Sequence, residues 1–324
     1  MAEEKLGMVR KNDERNNVRE VRLSLPFGDL VCKWWGPSDV RPIVCLHGWM
    51  DNAGSFDRLI PLLPSEVSFL AIDLPGHGRS AHLPVGTAYH TLDALRILLH
   101  LMQLYGWQRI SLMSHSIGAV VAFVFAGIFP DRVDLLISFD MLKPFILDPD
   151  MSLFLLADAI PKSLDFDIGS PVRRSSEPTY EYDRLVEHMH VGFQESISRD
   201  ASHYLLYRAL EPVTDRPGYF RRRLDPRVRH NPGLVWSHDL NLEIARRIKV
   251  PFLYLKTTET PIFEDPQYHQ ETIDVLVAHN EQFVQRTVEG KHHAHLSSAE
   301  RVAPLVREFL AQHWAREKCS LSKL

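Results

Sequence analysis

Apolar and polar positions along this 324-residue chain fall into two rhythms. Near the start, Val21-Arg22-Leu23-Ser24-Leu25 alternates, Phe27-Gly28-Asp29 supplies a turn and Leu30-Val31-Cys32-Lys33-Trp34 returns, which predicts an antiparallel hairpin. Continuous apolar runs follow, each with a helical pattern behind it: Ile43 to Leu46 before Ser55 to Leu63, Ser68 to Ile72 before Thr91 to Tyr105, and Ile110 to Met113 before Ala119 to Phe125. In the second of these helices Leu92, Leu95, Leu98, Met102 and Tyr105 recur at intervals of three and four, one face of a helix. Strands that are apolar on both sides and alternate with helices make a parallel sheet covered on both faces, so the expected class is α/β.

The alternation runs on through Val133 to Asp140 and then breaks. Residues 141–247 show helical fragments, many prolines and no clear strand, before the pattern resumes at Pro251 to Lys256, at Gln282 to Val288 and in a helix from Ser298 to Trp314. The expected organisation is a core from residues 18–140 and 248–315, with 141–247 inserted as a helical lid over the C-terminal ends of the strands. Ligands bind at that edge in open α/β sheets. Residues 1–17 mix both signs of charge without an apolar stretch and read as a mobile tail, and 316–324 read as a second tail.

Composition narrows the function. A 45% hydrophobic and 24% charged chain is of ordinary globular type, and a net charge of −4 gives no electrostatic basis for binding nucleic acid. Arg221-Arg222-Arg223 reads as a solvated face. The longest apolar stretch, Ala119 to Phe129, falls short of a membrane span. Three widely separated cysteines, Cys32, Cys45 and Cys319, fit a reducing compartment. The sequence ends in Ser322-Lys323-Leu324, the tripeptide a peroxisomal import receptor reads, so a peroxisomal location is expected, with a cytoplasmic pool beside it.

The chemistry centres on Ser114-His115-Ser116-Ile117-Gly118, which joins a buried strand to a buried helix. Small residues two before and two after Ser116 relieve the crowding of a turn sharp enough to lift a serine hydroxyl clear of the sheet, a nucleophile elbow. Ser114 stands where glycine is usual. A serine needs a base, and Gly290-Lys291-His292-His293-Ala294-His295 follows the last strand; spacing after the glycine favours His292. A metal site from Glu289, His292, His293 and His295 is the rival use of this loop. In this architecture two backbone N–H groups hold the developing oxyanion, here those of Ile117 and Trp49, with Gly48 allowing close approach and His47 bracing the loop.

His47-Gly48, Asp73-Leu74-Pro75-Gly76-His77-Gly78-Arg79-Ser80, the Ser116 elbow and Gly290-Lys291-His292, in that order, resemble the α/β-hydrolase superfamily from about residue 20 to residue 315. Leu46 to Leu63 further resembles the animal serine hydrolase-like proteins, several of which are associated with peroxisomes. The resemblance implies a triad acid just past the strand before the base-bearing strand. Gapless spacing puts Thr260 at that place, with Glu259 one residue early; Asp140, at the end of the strand before the lid, is the alternative used by some members, and Asp265 is an outsider. Glu259 is favoured. The expected function is hydrolysis of a small or fatty-acyl ester or thioester with no cofactor or metal; the alternative is a catalytically silent fold that binds a ligand or protein. Phe145, Leu153, Phe154, Leu155, Tyr180 and Tyr182 in the lid suggest an apolar acyl pocket.

Overall fold

The computed structural model describes residues 2–173, 178–230 and 236–315; the tripeptide Ser322-Lys323-Leu324 lies outside them. Eight strands form one sheet: β1 (Arg19–Leu25), β2 (Gly28–Trp35), β3 (Ile43–Leu46), β4 (Phe69–Ile72), β5 (Ile110–His115), β6 (Val133–Phe139), and, after the inserted segment, β10 (Phe252–Thr257) and β11 (Phe283–Val288), in the order β1-β2-β4-β3-β5-β6-β10-β11. β1 and β2 form the expected antiparallel hairpin, β2 pairs antiparallel with β4, and every pairing from β4 to β11 is parallel.

The apolar runs divide by the two-residue period of a strand. Val44, Leu46, Leu70, Ile72 and Leu112 face α2 (Thr91–Tyr105), α3 (Ile117–Ile128), α7 (His238–Arg247) and α8 (Pro266–His279). Ile43, Cys45, Phe69, Ala71 and Met113 face α10 (Ala299–His313), with the short α9 (Ala294–Ser297) before it, and two 3-10 turns, Ala53–Phe56 and Ile60–Leu62. The helix expected over Ser55 to Leu63 is these two turns; Pro61 sits at the start of the second, where it removes a donor a continuous helix would need.

Three further expectations are corrected. Residues 2–15 are a helix, α1 (Ala2–Arg15), docked on the protein: Val9 is fully buried, Asp13 meets the buried Lys33 ammonium at 2.7 Å, and Asn12 reaches Tyr204. The insertion holds α4 (Pro149–Arg173), α5 (Tyr182–Gly192) and α6 (Arg199–Ala209), but also a small antiparallel sheet in the order β7 (Tyr180–Glu181), β9 (Tyr219–Arg222), β8 (Leu210–Pro212). α7 belongs to the core, since Ile244 and Ala245 are buried in its main cluster. Among the described residues no helix is long and apolar enough to cross a membrane.

The insertion is pinned by charge. Arg208 of α6 and Asp73 after β4 are both buried and bonded through both carboxylate oxygens, with Nη2 donating to Oδ2 at 2.6 Å; Asp73 also accepts from the backbone of Ala53 and Arg79. Arg208→Met would strand a buried carboxylate, and urea unfolding should show a loss of about 3–5 kcal/mol. A loss under about 1 kcal/mol would mean that the pair does not tie the insertion down.

Candidate active site

Strand order positions the site. From β3 the chain goes to β4 on one side and then returns to β5 on the other, so the loops after β3 and β5 diverge and leave a crevice at their C-terminal ends. Leu46 lies opposite Ser114, and His115 opposite Phe139, which sets His47-Gly48-Trp49, Ser116 and Asp140 side by side on one sheet edge. β11, two strands further along, sends its loop back across the end of β10.

Ser116 has φ 53° and ψ −122°, a conformation unfavourable for any residue with a side chain. It is held by backbone bonds on both sides: its N–H donates to Phe139 O, and its carbonyl accepts from Ala119 and Val120 at the start of α3. Gly118 is required, because a Cβ there would stand 2.4 Å from Leu46 O. Ser114 fits at the other flank, fully buried, with a hydroxyl that has no partner among the described residues.

His292 joins two groups. Its Nε2 is 2.9 Å from Ser116 Oγ and its Nδ1 is 2.6 Å from Asp140 Oδ2. Asp140, itself at φ 56°, is the carboxylate that reaches the base. The favoured Glu259 does not: its side chain is exposed, while its N–H donates to Gly290 O and so lashes the loop after β10 to the loop carrying His292. Asp265 is spent capping α8, where it accepts from Gln267 N. Thr260 bonds Thr257 Oγ1 at 2.7 Å, and that hydroxyl donates to Asp140 Oδ1 at 2.6 Å, so the place expected for the acid instead supports Asp140 one strand away.

Lys256 is the neighbour the sequence did not reveal, since nothing in its spacing distinguishes it from a strand-end lysine. Its ammonium donates to Asp140 Oδ1 at 2.8 Å and to the carbonyls of Thr257 and Thr260. Burial pushes the Asp140 carboxyl up, but the contacts to His292, Lys256 and Thr257 outweigh it and hold the group well below the usual carboxylate range. Nearby Lys143 is paired with Glu264, and burial with these two lysines pushes His269 down to about 4, leaving it uncharged at neutral pH. Removing the Lys256 charge leaves Asp140 freer to hold a proton on His292. In Lys256→Met the acid limb of kcat/KM should therefore move to higher pH, by about half to one unit, and Lys256→Arg should restore it. An unmoved limb would reduce Lys256 to packing.

The loop after β3 is braced from within. His47 donates from Nδ1 to Gly48 O at 2.7 Å and accepts from Leu74 N at Nε2; burial pushes its pKa down, so it stays neutral. Gly48 has no room for a side chain, because a Cβ would lie 2.8 Å from His115 Nδ1. Among the described residues, neither Trp49 N–H nor Ile117 N–H donates to an acceptor of the chain. Trp49 is half exposed, and its indole N–H donates to Val228 O, tying this loop to the insertion.

Beneath Ser116, His292 and Asp140 lies a buried polar network that only Asp51's place in the His47-Gly48-Trp49-Met50-Asp51 stretch could have hinted at. Asp51 faces His115 at 3.3 Å and His293 at 3.4 Å, and His115 Nε2 lies 3.1 Å from His292 O, so the network steadies the backbone of His292. Burial pushes His115 down to about 3. Ligand atoms of Asp51, His115 and His293 lie within 4.8 Å of one another, the set in this region best placed to hold a metal. The rival set built on Glu289 is not assembled, since Glu289 is exposed and faces Arg301.

An apolar cavity of about 70 Å³ is lined by Gly48, Trp49, Leu74, Tyr89, Ile97, Ile117 and Val121, among others, on the α2–α3 side of the oxyanion loop. It does not involve the lid residues expected to form it: Leu153 and Phe154 are exposed, Phe145 packs against Phe263, and Tyr182 bonds His203.

A family model described as alpha/beta hydrolase fold matches residues 41–299. A fruit-fly protein named "Probable serine hydrolase" is 33% identical over 294 residues, 90% of this chain and 88% of its own length. Human serine hydrolase-like protein 2 is 31% identical over 304 residues, covering 90% and 94%. The crystal structure of hypothetical protein PA1622 from Pseudomonas aeruginosa superposes with a TM-score of 0.75 at 33% identity, over 90% of this chain and 99% of that one. The chain therefore belongs to the alpha/beta hydrolase fold family and, within it, to the serine hydrolase-like proteins.

Proposed function

We propose that this hydrolase cleaves esters or thioesters through Ser116, His292 and Asp140 by way of an acyl-enzyme. The observation that carries the reading is the continuous contact of Ser116 Oγ, His292 and Asp140 at 2.9 and 2.6 Å. With Asp140 holding Nδ1–H, the free Nε2 accepts the Ser116 proton as Oγ bonds to the carbonyl carbon. The oxyanion sits between the Trp49 and Ile117 N–H groups, donors with no competing acceptor among the described residues. Collapse breaks the bond to the alcohol or thiol, which leaves with the proton from His292. Water then repeats the sequence, with His292 taking its proton, and releases the acid and Ser116.

The cavity behind the oxyanion loop supports a short, apolar acyl group. The silent-fold alternative drew its force from a missing acid, and the contact of Asp140 with His292 counts against it. A fluorophosphonate probe should label the folded protein once, with the adduct mapped by mass spectrometry to the peptide containing Ser116. A folded protein that takes no label would return the reading to a binding module.

A further inference from the structure

Trp49 stands between two cavities. One is the small apolar slot already described. The other, of about 350 Å³, lies on the side of the insertion, with Trp49, Met50, Met189, Phe193, Arg222 and Arg229 in its walls. Phe193 packs edge-on against His293 at 5.2 Å between ring centres, and His293 is 5.2 Å from His292. The larger cavity thus borders the loop after β3 directly and is separated from the histidine loop by the Phe193 ring.

Among the described residues the fully buried guanidiniums each face a carboxylate: Arg41 faces Asp134, Arg208 faces Asp73 and Arg227 faces Asp225. Among the described residues no carboxylate stands within ion-pair distance of Arg222 or Arg229. Arg222 is half buried and lies over Tyr180 at 5.3 Å; its Nη2 donates to His188 Nδ1 at 3.4 Å, which makes His188 a neutral acceptor and not a counter-charge. Burial, and then the Arg229 charge, push the Arg222 pKa down, the opposite of what a carboxylate partner does. Arg222, half buried, and Arg229, exposed, put two guanidiniums on the wall of one concavity, a fork suited to an anionic group.

We infer that the cavity between Trp49, Phe193, Arg222 and Arg229 binds the leaving portion of the substrate and selects one that carries a phosphate or carboxylate. This rests on the ester or thioester reading above and assigns the halves of that substrate: the slot is too small and too apolar for a charged leaving group, and the larger cavity has both the room and the cations.

Three thioesters of one butyryl group test it: the coenzyme A thioester, with phosphates; the glutathione thioester, with carboxylates; and the neutral N-acetylcysteamine thioester. At least one anionic thioester should show a KM about tenfold or more below the neutral one, and which of the two does so separates phosphate from carboxylate. Arg222→Met/Arg229→Met should erase that advantage through KM, leaving kcat and the neutral thioester within about twofold. Equal kcat/KM for all three thioesters, or equal losses on the neutral one, would overturn the inference. Calorimetry of Ser116→Ala with free coenzyme A and glutathione reads the site without turnover. At least one should bind about tenfold tighter than it does to the triple variant carrying both Arg→Met changes. Equal binding would sink the anion site even in an active hydrolase, whereas Arg-dependent binding without fluorophosphonate labelling would sink the hydrolase and keep the site.

Discussion

Ser116→Ala is expected to lower kcat for a chromogenic ester by about 10⁶-fold, the scale seen when a triad nucleophile is removed. No other hydroxyl can substitute. Ser114 Oγ is buried with no partner among the described residues, and there the bond that aligns His292 Nε2 comes from Ser116. His292→Ala should cost nearly as much, and the double variant little more than either, because the two side chains act as one unit. Any residual rate over water reports the Trp49 and Ile117 donors, which the substitution leaves in place. Folding stability should stay within about 1 kcal/mol, since the positive φ at residue 116 is imposed by the bonds to Phe139, Ala119 and Val120 and persists in alanine. Turnover above about 1% of wild type in a variant that no longer takes the fluorophosphonate would remove Ser116 from the mechanism.

The core was legible because its strands are buried on both faces. Ile43 to Leu46 and Phe69 to Ile72 are apolar without interruption, Ile110 to Met113 is broken only by Ser111, and each is followed by a helix or by helical turns, a pattern that leaves few other folds. The small sheet of the insertion was illegible for the converse reason. Tyr180–Glu181 and Leu210–Pro212 are two and three residues long, too short for alternation to register, and their partner Tyr219–Arg222 sits in a basic run that reads as solvated surface. α1 was missed because charge dominates it. The pairing of Asp13 with Lys33 and the burial of Val9 depend on surfaces supplied by distant residues, so its mixed charge resembled a tail.

The site divides the same way. Ser116, His292, Trp49 and Ile117 each announce themselves by a local constraint: a turn needing small neighbours, a glycine exit, or a loop after a buried strand. Arg222 illustrates the opposite case, for its lack of a carboxylate partner among the described residues is visible only in the packed structure.

The acid could not be read from spacing, because its identity depends on how far the loop after β11 reaches back across the sheet, and the structure supplies a decisive comparison. Asp140→Asn is expected to lower kcat about 10⁴-fold, whereas Glu259→Gln should stay within about twofold. Asparagine at 140 keeps the size of the side chain, yet the Lys256 ammonium and the Thr257 N–H and hydroxyl at Oδ1 fix the carbonyl there. The amide NH₂ then faces His292 Nδ1, forces the proton onto Nε2 and leaves the base with nothing to accept the Ser116 proton. Both substitutions should be read as kcat under saturating ester alongside an unfolding curve, so that loss of the Lys256–Asp140 pair is not mistaken for loss of the tautomer. A large effect at Glu259 with a small one at Asp140 would mean that the loop after β10 swings its carboxylate onto His292 in the working enzyme. The lashing of Glu259 N–H to Gly290 O, on the same loop as His292, is the contact that such a swing would have to break.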